Sequence, residues 1–351
     1  MTAELFAKIS REETLTRDEL VALLSLSQPE DLEQLFQLAD RIRERYVGND
    51  VHLRGLIEFS NICRKNCRYC GIRSGNSRVG RYRMSIDEII ITAKLVEALG
   101  YKTVVLQSGE DPYYSAEMLA DLIKRIKRDT RLAITLSIGE RSRQEYQQFF
   151  DAGADRFLLR FETSNPALYK NLHPDSDYER RMQILAWFKE IGYQVGSGIM
   201  IGLPDQTLED LALDILKFKE LDLDMIGVGP YISHPDTPLA GSANGTAEMT
   251  LKVIALTRIV TRNTHIPATT ALATLRPADG REKALQAGAN VVMPNVTPLK
   301  YRELYELYPE KICVNEAAEQ CHNCIRQRIF RVGRSISTDF GHSLKRTYPG
   351  G

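Results

Sequence analysis

Cys63, Cys67 and Cys70 stand in the stretch Asn61-Ile-Cys-Arg-Lys-Asn-Cys-Arg-Tyr-Cys-Gly71, a C-x3-C-x2-C spacing that follows directly on the strand-like run 51–60. Three thiolates so spaced can hold three corners of a [4Fe-4S] cluster and leave the fourth iron open to an outside ligand, which is where chemistry can happen. Electron-transfer ferredoxins close all four corners with cysteine, and structural zinc sites take four protein ligands. No fourth Cys or His follows within ten residues of Cys70. Buried thiols, a zinc knuckle completed from elsewhere, or a disulfide with a spare cysteine are the plainer readings of the same residues.

The other cysteines, Cys313, Cys321 and Cys324, form a second group of three with C-x7-C-x2-C spacing, and residues 71–312 contain none. A sulfur-only site in the middle of the chain is thereby excluded. Lys+Arg and Asp+Glu both number 46, so the global field that gathers nucleic acid or an anionic membrane is missing. No apolar run approaches the ~20 residues that span a bilayer. The first twenty residues carry Lys8, Arg11, Glu12, Glu13, Arg17, Asp18 and Glu19 in place of the apolar core of a secretion signal. A cytoplasmic protein is expected, with neither nucleic acid nor membrane as partner, in which reduced thiols serve as metal ligands.

The elements that must position these cysteines alternate from residue 51 onward. Strands are expected at 51–60, 102–108, 132–138, 156–162, 194–201, 225–232, 266–271 and 290–295. Between them lie amphipathic helical patterns, three of which start with a hydroxyl followed by an acid three residues on: Ser85/Glu88, Ser142/Glu145 and Thr207/Asp210. Eight strand–helix repeats over roughly 250 residues predict an α/β fold, a complete (β/α)8 TIM barrel, and no G-x-G-x-x-G loop supports an open nucleotide-binding sheet. In such a barrel the active site lies at the C-terminal strand ends, and the triplet begins three residues past the first of them. The expected divisions are an N-terminal helical extension at 1–50 covering the bottom or edge of the barrel, the barrel at 51–310, and a cysteine-bearing segment at 311–351. The tail after Arg331 reads as weakly ordered.

The triplet, with its aromatic before the third cysteine, resembles the radical S-adenosylmethionine (SAM) superfamily. Ser108-Gly-Glu110 resembles that superfamily's Gly-Gly-Glu motif, and Gly198-Ile-Met-Ile-Gly202-Leu-Pro204 its Gly-x-Ile-x-Gly segment. Leu106-Gln-Ser-Gly-Glu-Asp-Pro-Tyr113, Leu158-Leu-Arg-Phe-Glu-Thr163, His234-Pro-Asp-Thr-Pro238, Ile266-Pro-Ala-Thr-Thr270 and Lys311-Ile-Cys313 are similar to the HydE family of [FeFe]-hydrogenase maturases, over about residues 45 to 325.

The resemblance implies a [4Fe-4S] cluster on Cys63, Cys67 and Cys70, with SAM chelating the open iron. It implies SAM contacts from Tyr69, Glu110, Thr135, Ser137, Glu162, Arg181, Gly198 and Gly202, of which Tyr69 would stack on the adenine, Glu110 accept the methionyl ammonium and Arg181 serve as the basic partner of Glu162. No catalytic side chain is expected beyond the cluster and SAM. Met225, Thr269, Thr270 and Tyr305 would face a small cysteine-derived thiolate substrate, an Fe-CO-CN-cysteine complex. A second [2Fe-2S] or [4Fe-4S] cluster on Cys313, Cys321 and Cys324 would be dispensable for turnover. A reducing electron donor and other hydrogenase maturases are the implied partners. Two other functions stay open on these residues: a methylornithine-synthase-like radical SAM mutase, and a non-catalytic iron–sulfur scaffold or carrier. His234 and His265 receive no catalytic role.

Overall fold

In a computed structural model, which describes residues 2–345, the chain alternates strands and helices around one parallel sheet. The strands are β1 (Asp50–Ser60), β2 (Thr103–Ser108), β3 (Ala133–Ser137), β4 (Arg156–Leu158), β5 (Gln194–Ile201), β6 (Met225–Pro230), β7 (Val291–Val292) and β8 (Ser335–Ile336). They pair in the order β6-β5-β4-β3-β2-β1-β7, with β8 also pairing β1, and every pair is parallel. β1 and β5 are buried nearly throughout, as strands covered on both faces must be.

Three helices precede the sheet: α1 (Thr2–Ser10), α2 (Arg17–Leu24) and α3 (Pro29–Val47). The crossovers supply α4 (Ile86–Ala98), α5 (Ala116–Asp129), α6 (Arg143–Asp151), α7 (Pro166–Leu172), α8 (Tyr178–Ile191), α9 (Leu208–Glu220), α10 (Ala247–Thr261), α11 (Thr270–Leu275) and α12 (Gly280–Gln286), followed by α13 (Leu299–Arg302) and α14 (Ala318–Arg331). The three expected capping boxes are formed, at Ser85/Glu88, Ser142/Glu145 and Thr207/Asp210, with both reciprocal bonds in place. On α5, Leu119, Leu122, Ile123 and Ile126 recur at helical spacing and are buried against the sheet.

The expected strands thin out toward the end of the chain. β4 stops at Leu158, and the chain rejoins β5 only at Glu162, whose N–H donates to the Gly198 carbonyl (2.9 Å). Residues 266–271 form no continuous strand: His265 bridges Met225 and Pro267 bridges Val291. The reason is local, because Pro267 has no N–H to donate and Thr269 is already committed to capping α11. The run 290–295 shrinks to β7 plus a bridge from Asn295 to Leu56. What stands is a parallel α/β sheet, a coarser description than the expected complete eight-strand barrel.

The N-terminal helices lie on the outside, α2 against α9 and α10 and α3 against α10 and α12. The far end of the chain packs against the N-terminal ends of the strands instead, correcting the expectation of a weakly ordered tail for the described part of it; residues 346–351 of the expected 311–351 segment lie outside the described residues. The Gly341 carbonyl accepts from Arg54 (3.0 Å), and the Phe340 carbonyl from Thr103 Oγ1 (2.9 Å) and Arg156 (2.7 Å). Ser343 N–H donates to Gln194 Oε1 (2.8 Å), and its hydroxyl to Asp224. Thus the starts of β1, β2, β4, β5 and the turn into β6 all grip one stretch of backbone. His52 and His342 sit in this layer, and burial, with Arg54 beside the one and Arg156 beside the other, pulls each down to about 4. Both are neutral near pH 7 and add no charge to the two buried arginines.

Arg156 is fully buried and also donates to Thr103 Oγ1 (3.0 Å) and Gln194 Oε1 (3.2 Å). Removing it strands several buried acceptors, so Arg156→Ala should lower the free energy of urea unfolding by about 2–4 kcal/mol. The exposed Arg128→Ala should change it by less than about 0.5 kcal/mol. Equal effects at the two positions would show that the tail does not close the sheet's lower end.

Candidate functional site

The triplet's place is set by a register shift. β1 and β2 run in step until Glu58 opposite Gln107, after which Ser60 faces Ser108, leaving Phe59 as an extra residue. Such a bulge bends the strand and re-aims the residues beyond it. Ser60 Oγ then donates to Asp111 Oδ2 (2.7 Å), which also receives Arg83 Nε (2.7 Å), and the Gly109 N–H donates to the Ser60 carbonyl (3.0 Å). The loop from Asn61 leaves the C-terminal end of β1 with its direction fixed.

Within the loop two arginines gather much of the backbone. Arg81 donates to the carbonyls of Asn61 (2.6 Å), Ile72 (2.8 Å), Arg73 (2.7 Å) and Asn76 (3.0 Å), and Arg73 to those of Cys67 (3.1 Å) and Asn66 (3.3 Å). Gly71 N–H reaches the Leu307 carbonyl (2.9 Å). Cys63, Cys67 and Cys70 are free thiols, each half-buried. Burial pushes all three up, Cys70 to about 12, and each of Cys67 and Cys70 is pushed further by its neighbours in the triplet. Sulfurs in such surroundings ionise when a metal centre supplies the compensating charge. The Glu110 N–H donates to Cys63 Sγ (3.4 Å), the kind of bond that tunes a cluster. Among the described residues no three His, Cys, Asp or Glu side chains converge on a single ion, whereas a tetrahedral zinc would need its sulfurs about 3.8 Å apart. Three thiols on one loop, one of them accepting a backbone N–H, are a donor set that suits an iron–sulfur centre.

Around the triplet two acidic residues occupy equivalent places, each after a glycine at the end of a strand. Glu110 follows β2, and its carboxylate accepts from Glu140 N–H (2.8 Å) and Arg64 Nε (3.2 Å). It fits because Gly139, at φ +75°, has no side chain; a Cβ there would lie 2.0 Å from Glu110 Cγ. Glu140 follows β3 and pairs with Lys65 (3.0 Å) and Arg181 (2.8 Å). Arg181 is buried and also donates to the Arg160 carbonyl.

The expected partnership of Glu162 with Arg181 is therefore redistributed. Glu162 faces Arg160 at 3.0 Å, and Arg181 is held by Glu140. Neither Glu140 nor Arg160 was singled out from the sequence, although Ile138-Gly-Glu140 repeats the Gly-Glu pattern of Ser108-Gly-Glu110 one strand on and could have flagged the first. Glu162 sits at φ +64° in the left-handed region, a strained setting for a residue with a side chain. Its Oε2 is buried and meets only Arg160 Nη2, as an ion pair, while Arg160 Nε and Thr135 Oγ1 are buried without a hydrogen bond. Buried polar atoms almost always find partners, so the unbonded Arg160 Nε past β4 and Thr135 Oγ1 in the middle of β3 mark where a polar ligand fits. Ser137, two residues beyond Thr135 and on the same face of β3, is half-exposed.

Tyr69 hydrogen-bonds His173 Nε2 (3.0 Å), whose Nδ1 lies 3.0 Å from the Tyr169 carbonyl. Burial holds His173 down at about 3, so the ring is neutral and accepts the phenol's proton while donating from Nδ1. The Tyr69 ring lies against a small apolar cluster of Leu168, Leu172, Met200, Leu203, Tyr231 and Leu239. Gly198 and Gly202 both meet protein backbone: a Cβ would fall 2.1 Å from the Gly227 carbonyl oxygen at the first and 2.3 Å from Gly245 Cα at the second. Close backbone approach demands glycine at both positions, and at Gly202 so does its left-handed φ of +80°.

The four expected substrate residues separate. Thr269 caps α11 and Thr270 opens it, just past the bridges that flank β6 and β7. Tyr305 is buried with its hydroxyl 3.3 Å from Gln107 Nε2. Met225 begins β6 at the opposite end of the sheet, its sulfur 2.8 Å from Arg54 Nη1, and it belongs to the layer that grips the tail. In the second cysteine group the thiols differ sharply. Cys321 is buried, Cys324 exposed, and Cys313 is lowered to about 6, chiefly by its hydrogen bond with Cys321 and then by Arg281.

Residues 57–218 match the family model described as the Radical SAM superfamily. The chain is 51% identical over 338 residues, 96% of each protein, to the [FeFe] hydrogenase maturase subunit HydE of Thermotoga maritima. It is 33% identical to the 3-methylornithine synthase of Methanosarcina acetivorans over 79% of each. The solved structure of methylornithine synthase (PylB) superposes with a TM-score of 0.83 at 28% identity, covering 95% of this chain and 97% of that one.

The strained turn at Glu162 is tied to α9, where Asp214 accepts from Ser164 N–H and Asp210 from Asn165 Nδ2 (2.9 Å). Burial pushes Asp214 up to about 7. Between the ordinary carboxylate range and about pH 7 the folded protein holds a proton that the unfolded chain has released. The associated stability is therefore full at low pH and is lost as pH rises through about 7, by up to about 4 kcal/mol. Asp214→Asn should flatten urea-unfolding stability between pH 5 and 8 and exceed the parent at pH 8. An unchanged slope would show that Asp214 is already ionised in the folded state.

Proposed function

Because the chain belongs to the radical SAM superfamily and, within it, to the HydE family, we propose that it is a radical SAM enzyme serving [FeFe]-hydrogenase maturation. The observation that carries this reading is a thiol triplet, without a fourth ligand on its loop, aimed by the β1 bulge to the C-terminal end of the sheet, where the buried Glu162 acts on Cys70. The 51% identity over 96% of both chains decides between relatives, since the methylornithine synthase likeness is weaker in sequence although close in fold.

Cys63, Cys67 and Cys70 would hold three irons of a [4Fe-4S] cluster. When bound, cluster and SAM supply a 5'-deoxyadenosyl radical by one-electron reductive cleavage. The chain's own part is to bind, orient and exclude water. Glu110 would accept the methionyl ammonium, and Glu162, Thr135 and Ser137 would satisfy the ribose and methionyl groups with Arg181 as a carboxylate clamp. Tyr69 would flank the adenine together with its apolar cluster, along backbone kept close by Gly198 and Gly202. Thr269, Thr270 and Tyr305 would face the substrate, a small cysteine-derived thiolate carried in an Fe-CO-CN complex; Met225 would close the far end of the cavity. Cys313, Cys321 and Cys324 would hold an accessory cluster that turnover does not need.

This reading includes a closed (β/α)8 barrel. In its support, the His265 N–H donates to the Asp224 carbonyl (3.0 Å), the Ile226 N–H to the His265 carbonyl (2.9 Å) and the Ala268 N–H to the Val291 carbonyl (2.9 Å), so residues 265–268 occupy the gap between β6 and β7. Among the described residues no helix is long and apolar enough to cross a membrane, in keeping with a cytoplasmic setting.

Anaerobically reconstituted protein given dithionite and SAM should release 5'-deoxyadenosine. Cys67→Ala should abolish it, by at least about a hundredfold, while Cys321→Ala should keep it within about threefold. A reduced-cluster EPR signal without any cleavage of SAM would leave only a scaffold or carrier. Loss of cleavage in Cys321→Ala would make the second cysteine group essential.

A further inference from the structure

The neutral chain is not neutral around its triplet. Between Asn61 and Ile86 lie Arg64, Lys65, Arg68, Arg73, Arg78, Arg81 and Arg83, and no acidic residue. Four of these charges are met from elsewhere, Arg64 by Glu110, Lys65 by Glu140, Arg78 by Asp236 and Arg83 by Asp111. Arg68, Arg73 and Arg81 have no carboxylate within ion-pair distance among the described residues. Arg68 is held only by the Asn171 side-chain oxygen, and Arg73 and Arg81 only by backbone carbonyls. Arg81 is exposed and the other two are half-exposed.

Arg81 works inward, its charge acting on Cys63 and Cys70, so Arg68 and Arg73 are the two half-exposed guanidiniums of this loop that no negative group offsets. Arg73 connects the surface to the loop interior, since its guanidinium bonds the carbonyl of Cys67 itself at 3.1 Å. A cation held only by carbonyls keeps its field available to an incoming partner, and such a patch steers an oppositely charged protein and speeds encounter.

We propose that the surface presented by Arg68, Arg73 and Arg78 is the docking surface for a small acidic one-electron carrier protein, which delivers the reducing electron to the triplet's centre. The proposal rests on the radical SAM reading, because only a centre that must be reduced for each turnover needs such a partner. In the step the carrier loses one electron and the centre gains one; no bond forms between the proteins. Arg78, 79% exposed at the rim and paired with Asp236, would exchange that partner for an acid of the carrier. The segment's net positive charge favours a carrier over a second copy of this chain, whose corresponding face would repel it.

The test uses the reconstituted full chain and flavodoxin as the probe. Binding measured by titration calorimetry should weaken steeply with salt, and the double variant Arg68→Glu/Arg78→Glu should weaken it roughly tenfold or more. The control Arg128→Glu, on the outer helix α5, should leave it unchanged. Iron content, reduced-cluster EPR signal and SAM cleavage driven by dithionite, which needs no docking, should stay within about twofold in the double variant. Unchanged flavodoxin affinity with intact dithionite-driven cleavage would overturn the docking proposal while leaving the radical SAM reading standing. Unchanged affinity with a shifted cluster midpoint potential would mean that these arginines serve the cluster's own charge and not a partner. Absence of any cluster in the parent protein would sink the underlying reading instead.

Discussion

One extra residue in β1 governs the upper end of the molecule. With Phe59 inserted between Glu58 and Ser60, the strand turns out of register with β2, and Ser60 is delivered to Asp111 and Gly109. Without that shift the backbone would continue straight and the three thiols would leave the sheet at another angle, away from Glu110 and the β3–β4 strand ends. The loop beyond is anchored in the core by Ile72, Tyr82 and Met84, and the rest of its shape is carried by hydrogen bonds. Arg81 and Arg73 together gather six carbonyls from it. A charged donor suits this task because its bonds to carbonyls are stronger than neutral ones and several can share one planar group.

The acids around the loop follow the same economy of shared partners. Glu110 ties the triplet loop to the turn after β3, and Glu140, at the corresponding place one strand on, ties that turn to Lys65 and Arg181. Arg181 in turn holds the Arg160 carbonyl, and Arg160 faces Glu162. These charges form a chain from the cysteine loop to the strained turn at Glu162, and Arg160 Nε, left without a hydrogen bond, lies at its inner end. A ligand with an ammonium, a carboxylate and hydroxyls would complete what the protein leaves open there.

Much of this was legible in the sequence because the signals are local. The capping boxes at Ser85, Ser142 and Thr207, the first six strands and the thiol spacing each depend on residues a few positions apart. The weaker readings failed where distant contacts decide. Residues 266–271 carry a strand-like composition, but Pro267 and the cap at Thr269 break the ladder. The tail beyond Arg331 is polar and reads as loose, yet Arg54 and Arg156, both far away in sequence, capture its carbonyls. Pairing of Arg181 with Glu140 in place of Glu162 likewise depends on how β3 and β4 sit side by side, which no spacing rule encodes. Strand direction puts Met225, the first residue of β6, at the other end of the sheet from Thr269 and Thr270, a separation no spacing rule encodes.

The central claim is that the triplet leaves one iron open and that SAM fills it. It is tested most directly on a Cys313→Ala/Cys321→Ala/Cys324→Ala variant, in which the triplet is the sole cysteine site, reconstituted and reduced without oxygen. Electron–nuclear double resonance is then recorded with SAM carrying a 15N label in its amino group. The account predicts a 15N hyperfine coupling to the reduced cluster that vanishes when unlabelled SAM is used. A reduced-cluster signal with no such coupling, at SAM concentrations that saturate binding, would contradict it.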